Sequence, residues 1–480
     1  MKAILYVYLQ EWLSFSKTTA TTIVHGFNFF AYLFTLVGGI ISDSYLGKFK
    51  TILYLSIVYC FGSIVMAVTS FPGVTGDPPH WWGCILGLAL LAFGTGGIKP
   101  CVASFGGDQF HSSQAQMIAL FFSIFYFSIN AGSVLSMFIT PLLKEKVHCF
   151  GQESCYPLAF GLPALLMLVA TIIFVAGSRL YVRVAPGGNV IVKIVSVVWT
   201  ALKEKRRAAA AYPIHWLEYA TYAYPEELIK DVQSLFSVLV IFIPIPLFWM
   251  LYDQQASNWV DQAWKMDGKV SIFGWSFKVE PAQMQTWNAV LILVMIPLFE
   301  KGVYPLLRRM GIRFKSLNRI LVGMLLALVS FIIAGIIQFS VDQGTFSPHP
   351  HDPRIRICTA NCVHMFAQIP QIIVLTSGEI LVSITGLDFA YSQAPKTMKS
   401  VCQAAWLLTV AIGNLNVVIV NEINLLGRLG IDHLDAWNYF LYAAILGLGC
   451  ILFYFLAKNY KYMEDRRIPE AIENTITHQE

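Results

Sequence analysis

Glu379 stands in the middle of an otherwise apolar run, QIIVLTSGEILVSITGLDF, with no basic residue within helical reach. A carboxyl group there must either hold a proton or take a partner from another helix. Both outcomes suit proton coupling or capture of a cationic group. Lys99 has the opposite sign and a similar setting, in GTGGIKPCVASFGGDQF from Gly94 to Phe110. A lysine near the bilayer core costs about 2.5–3.5 kcal/mol on insertion scales, so it demands a counter-charge or an aqueous cavity. The glycines around it let neighbouring helices approach closely; a lysine snorkelling beside a Gly-rich packing face is the other reading.

Further polar residues recur inside apolar runs. His25, in TTIVHGFNFFAYLF, carries an imidazole, which titrates near neutral pH without help, and Tyr32 at i+7 shares its face. A histidine on a helix also serves as a packing residue. Tyr126 and Asn130, spaced i,i+4 in FFSIFYFSINAGSVLS, project a phenol and an amide from one face, which must meet protein or water. Asn130 would then line a cleft or bridge two helices. Trp249 lies in IFIPIPLFWMLYDQQASNW, where Pro244 and Pro246 break the helix before Asp253, Gln254 and Gln255. Asn288 and Glu300 share the next run, with Glu300 open to pairing with Lys301 or Arg308, and Trp406 supplies either an aromatic wall or a packing residue.

These residues need membrane helices to hold them. The 480 residues are 56% hydrophobic and only 13% charged, with a mean hydropathy of +0.61; a soluble domain carries about 25% charge. Runs of the ~20 residues that cross a ~30 Å hydrocarbon core fall at 17–42, 49–70, 83–104, 115–140, 157–180, 232–254, 285–307, 318–340, 366–389, 400–422 and 436–458. An apolar piece from Met1 to about Trp12 covers only about 18 Å, too short to cross. It is either re-entrant or the remainder of a first helix.

Lys and Arg crowd alternate loops: Lys48 and Lys50, the 180–230 segment, Arg308 to Arg319, Lys396 and Lys399, and the tail. Those loops are therefore cytoplasmic. The expected organisation is an N-terminal helical half over 1–183, a cytoplasmic linker over 184–230, a C-terminal half over 231–458 and a solvated tail over 459–480. No cleavable signal peptide is visible.

Several chemistries are excluded. The basic residues are spread over short loops, so the net charge of +5 implies no nucleic-acid partner. There is no Walker A, nucleophile elbow or HExxH, so an enzyme is not expected. Most of the nine cysteines sit in apolar runs and argue against a disulfide scaffold, although Cys149 and Cys155 could pair in an outer loop. His349, His351, Cys358, Cys362 and His364 fit no zinc spacing and read as a solvated loop entering a helix.

Taken together, GTGGIKPCVASFGGDQF, FYFSINAGS, DSYLGKFKT, PLFWMLYDQQ and TGLDFAYSQAPKTMKS resemble the proton-coupled oligopeptide transporter family, in its animal intestinal and renal type, over nearly the whole chain. The resemblance implies an all-α polytopic membrane protein with the major-facilitator fold, two six-helix halves, the first helix incomplete. It implies symport of di- and tripeptides with protons across the bilayer, with no cofactor beyond the proton as coupling ion. It assigns His25 and Glu379 to proton coupling, and Tyr32, Lys99, Tyr126, Asn130, Trp249, Asn288, Glu379 and Trp406 to substrate binding. In the family the second-half glutamate faces the peptide's amino terminus and the first-half basic side faces its carboxylate.

Three departures stand out. The family's Glu-x-x-Glu-Arg motif, from the first helix, is absent. Ser237 stands where the animal transporters carry an arginine that pairs with an acid at the position of Glu300. The loop around 341–365 is short where those relatives carry a large extracellular domain. The expectation is a proton-coupled peptide symporter of the plasma membrane, with an endolysosomal membrane as the other location. The rival is a transport-inactive truncated relative or membrane scaffold.

Overall fold

A computed structural model describes the chain from Leu5 to Tyr462, apart from 75–79, 150–154, 208–214, 424–435 and a few single or paired positions. Among the described residues, eleven helical stretches are long and apolar enough to cross a membrane, matching the eleven expected spans. The first five are α1 (Lys17–Ile41), α2 (Lys48–Thr69), α3 (Trp81–Gly107), α4 (Ala115–Lys146) and α5 (Tyr156–Ala176). The linker holds α6 (Val190–Arg207). Next come α7 (Glu226–Phe242) and α8 (Ile245–Tyr252), which split one span where Pro244 and Pro246 remove backbone donors, and the short α9 (Asn258–Trp264). Then follow α10 (Met284–Leu298) with α11 (Tyr304–Arg309), α12 (Ser316–Val341), α13 (Ile369–Ser392), α14 (Lys399–Ile423) and α15 (Ala436–Lys458).

The N-terminal helices pack as α2 on α3, α1 on α3 and α2 on α5; the C-terminal ones as α12 on α13 and α15, and α8 on α14. The two groups meet where α1 and α3 lie on α14 and where α4 lies on α10 and α13. Small residues set the closest approach. A Cβ on Gly38 would stand 2.3 Å from the Cα of Gly97, so α1 and α3 approach this closely because position 38 lacks a side chain, while a Cβ on Gly97 would instead meet Leu55 of α2 at 2.3 Å. Gly38→Ala is therefore expected to cost about 1–3 kcal/mol, the usual toll of overpacking. Gly132→Ala meets nothing within 4 Å and should leave unfolding unchanged. Thermal unfolding in detergent compares the two.

Tyr8–Trp12 forms a single π-helical turn, and Leu5, Tyr8 and Leu9 are buried among Tyr156, Phe160 and Leu91. Two antiparallel hairpins interrupt the helical architecture: β1 (Lys269–Ile272) with β2 (Trp275–Lys278), and β3 (Thr345–His349) with β4 (Asp352–Ala360). The second replaces the loop expected around 349–364. A disulfide joins Cys358 to Cys362, and His364 Nε2 lies 3.0 Å from the Lys269 carbonyl, so these residues have partners of their own. His351 and the side chain of His349 lie outside the described residues. Cys149 and Cys155 are paired as well, while Cys60, Cys84, Cys101, Cys402 and Cys450 are free and buried. Disulfides thus confine themselves to the loops opposite the Lys/Arg-rich side.

Candidate functional site: a buried glutamate tied across two helical groups

The glycine and small-residue faces of α12 and α13 let α13 run through the core, and Glu379 on it is 1% exposed. Three donors converge on its carboxyl. The Tyr126 hydroxyl donates to Oε1 at 2.5 Å and the Tyr252 hydroxyl to the same atom at 2.9 Å. Asn288 Nδ2 donates to Oε2 at 2.8 Å and also lies 3.0 Å from Thr376 Oγ1. Tyr126 comes from α4, Tyr252 from α8 and Asn288 from α10. A single carboxyl oxygen therefore joins the N-terminal to the C-terminal helices. Hydrogen bonds to a charged group are worth about 1.5–3 kcal/mol, and a cation approaching Oε1 competes with the two hydroxyls already there.

Lys99 sits on the other side of this centre. Its ammonium lies over the Tyr32 ring, 4.3 Å from the centroid. Both residues line a cavity of about 160 Å³ with Asn28, Tyr59, Thr95 and Leu5, and Glu379 is not in its lining. Asp253, just past the end of α8, is near enough to bear electrostatically on both Tyr32 and Tyr252.

The remaining sequence-derived residues divide. Asn130 Nδ2 bonds back to the Tyr126 carbonyl at 2.9 Å, within its own helix. Trp249 and Trp406 are 7% and 2% exposed and stand edge to face, 6.4 Å apart. Trp249 Nε1 donates to Thr409 Oγ1 at 3.1 Å, and its ring meets Tyr252 at 5.4 Å, so the tryptophans back Tyr252 from within the core. His25 lies on the backbone of α1, and its side chain falls outside the described residues.

A second polar group closes the Lys/Arg-rich side. Asp108, at the end of α3, pairs with Lys48, accepts from the Tyr391 hydroxyl at 2.8 Å and lies 3.7 Å from Lys399 Nζ. Gly107 lets the Tyr391 ring approach, since a Cβ there would come within 2.6 Å of it. Asp43 Oδ2 accepts from the Val401 amide at 2.9 Å and so caps the start of α14. Ser400 Oγ lies 2.9 Å from Ser104 Oγ and 3.3 Å from Ser42 Oγ. Ser123 Oγ donates to Glu300 Oε1 at 2.5 Å, again from α4 to the C-terminal helices. Ser237 meanwhile bonds Gln233 O of its own helix at 2.8 Å.

Sequence reading missed Tyr252, although it lies one turn beyond Trp249 and shares its face. It also misses the seal: Lys48, Lys399 and Asp108 stand in it as orientation charges or within quoted motifs, not as partners of one another.

Membrane-crossing helices in two groups, joined through a mid-span carboxyl and sealed by charges on one side, define a polytopic helical membrane protein with a polar centre shared between two bundles. Comparison with known proteins places it. The model of the POT family matches residues 49–424, and the chain belongs to that family. Solute carrier family 15 member 1 of Homo sapiens is 32% identical over 98% of this chain and 91% of its own. Its aligned stretch of 657 residues exceeds the 480 of this chain, so that protein carries segments with no counterpart here. Solute carrier family 15 member 2 of Mus musculus is 31% identical over 100% of this chain and 89% of its own. The solved structure of the POT family transporter PepTSo is 32% identical, with a TM-score of 0.69 over 96% of this chain and 94% of that one. Another, of a proton dependent oligopeptide (POT) family transporter, is 30% identical with a TM-score of 0.62, covering 94% and 96%.

Proposed function

We propose that this chain is a proton-coupled symporter of di- and tripeptides in the plasma membrane. Two helical halves, 1–183 and 231–458, rock about the centre on either side of the linker 184–230, with the tail from 459 in the cytoplasm. The observation that carries this reading is the carboxyl of Glu379, which takes donors from both helical groups, two of them on Oε1 alone. A peptide's ammonium displaces the Tyr126 hydroxyl, and that exchange frees the two groups to move. Lys99 and Tyr32 offer the complementary positive end for the peptide's carboxylate. Protons reach Glu379, with His25 as the second proton-linked residue. Asn288 and Asn130 complete the binding residues, while Trp249 and Trp406 fix Tyr252.

The energetic scale is adequate. One proton crossing about −60 mV releases about 1.4 kcal/mol, near tenfold accumulation before any pH gradient is added. In oocytes expressing the chain at the surface, uptake of a labelled dipeptide should rise as external pH falls and should carry inward current. Free amino acids should compete poorly. Uptake indifferent to pH, or equal competition by single amino acids, would remove the coupling or the substrate class respectively.

A further inference from the structure

The linker helix α6 is apolar on two faces, and only one of them is covered by protein. Val190, Val197 and Ala201 are buried against Leu217, Val232 and Cys402. Val192, Val195, Trp199 and Leu202 are 54%, 59%, 69% and 42% exposed. At about 100° per residue these four fall within an arc of roughly 80°, nearly opposite the buried face. The helix is not among the stretches long and apolar enough to cross a membrane. Its position is fixed: the Val190 amide donates to Ser44 Oγ at 3.2 Å, and Gly187 just before it donates to the Asp43 carbonyl at 2.9 Å.

The charge beside the open stripe has one sign. Lys203 is exposed on its border, Arg206 lies in line with the stripe at the C-terminal end of the helix, and Arg207, Lys193 and Lys205 stand on the flanks. Glu204 is the one acid of the helix and is engaged by Arg207 at 3.0 Å. The spans ending at Arg179 and beginning at Glu226 hold the helix within reach of the bilayer surface.

We propose that α6 docks on the cytoplasmic leaflet of the membrane, with its open stripe in the headgroup boundary and its basic residues on anionic phospholipid. The leaflet follows from the orientation set by the Lys/Arg-rich loops, and the docking stands or falls independently of transport. Because α6 begins on the residues of the seal, lipid beneath it would steady the closed side.

The full chain carrying Val195→Cys is labelled there with an environment-sensitive thiol probe and placed in nanodiscs with or without phosphatidylserine. Quenching by acrylamide, which is neutral and so is not repelled by the anionic surface, is expected to fall at least about fivefold in phosphatidylserine discs relative to neutral ones, the effect of one basic residue at an anionic surface. Lys203→Gln combined with Arg206→Gln should restore acrylamide access, with unfolding temperature unchanged because both side chains are exposed. Acrylamide access equal in both disc types would overturn the proposal. So would protection that survives the double variant, or protection in detergent that grows with protein concentration and so marks a second copy as the occupant.

Discussion

Glu379→Gln should abolish concentrative dipeptide uptake while the protein still reaches the membrane. The substitution keeps the volume and removes the charge that Tyr126, Tyr252 and Asn288 surround. Losing one charge-assisted hydrogen bond of about 1.5–3 kcal/mol corresponds to roughly ten- to hundredfold in peptide affinity. Proton-driven accumulation should vanish, because glutamine cannot take up the proton that the proposed mechanism places on Glu379. Counterflow of unlabelled for labelled dipeptide needs no proton gradient and should persist at high substrate concentration. Uptake equal to that of the unsubstituted chain would take Glu379 out of the mechanism.

Asp108→Asn should open the closed side. Asp108 is 4% exposed and serves Lys48, Lys399 and the Tyr391 hydroxyl at once, across the two helical groups. Removing one partner of a buried ion pair costs about 3–5 kcal/mol, since a buried charge is left without its counter-charge. That cost falls on the closed arrangement alone, because the opened side rehydrates the lysines. Cys402, 0% exposed and next to Val401, is a native reporter of the opening. With the other free cysteines replaced, its modification from the cytoplasmic face should accelerate at least about a hundredfold, the shift that ~3 kcal/mol buys. Unchanged modification would mean that Asp108 does not hold the seal.

Much of this architecture is written in local patterns. Apolar run length sets the spans, because a bilayer imposes one length scale on every helix that crosses it. The proline pair at 244 and 246 marks its helix break for an equally local reason. Glu379 is conspicuous because charge is rare in such runs. Its partners were harder to see. Tyr126 lies 253 positions away in sequence and meets Glu379 only through the packing of α4 on α13, which no periodicity encodes. Asp108 and Lys399 have the same difficulty, compounded by lying at helix ends where charge is ordinary. Lys399 was counted for orientation when it also contacts Tyr391, with its ammonium 3.6 Å from the ring centroid. Cys358 and Cys362, read as part of a solvated loop because their spacing fits no zinc motif, pair with each other, and spacing alone does not reveal that pairing. Glu300 is open, by sequence, to pairing with Lys301 or Arg308, and nothing in its own run points to the hydrogen bond it accepts from Ser123 on α4.

The central claim is that the acid and the base grip opposite ends of one small zwitterion. Its most direct measurement is equilibrium binding of dialanine, N-acetyl-dialanine and dialanine amide to the purified chain. Dialanine should bind at least about tenfold more tightly than either blocked form, the value of one lost charge-assisted contact. Glu379→Gln should erase only the penalty for acetylation, and Lys99→Gln only the penalty for amidation. Equal affinity of the unsubstituted protein for all three ligands would contradict the account.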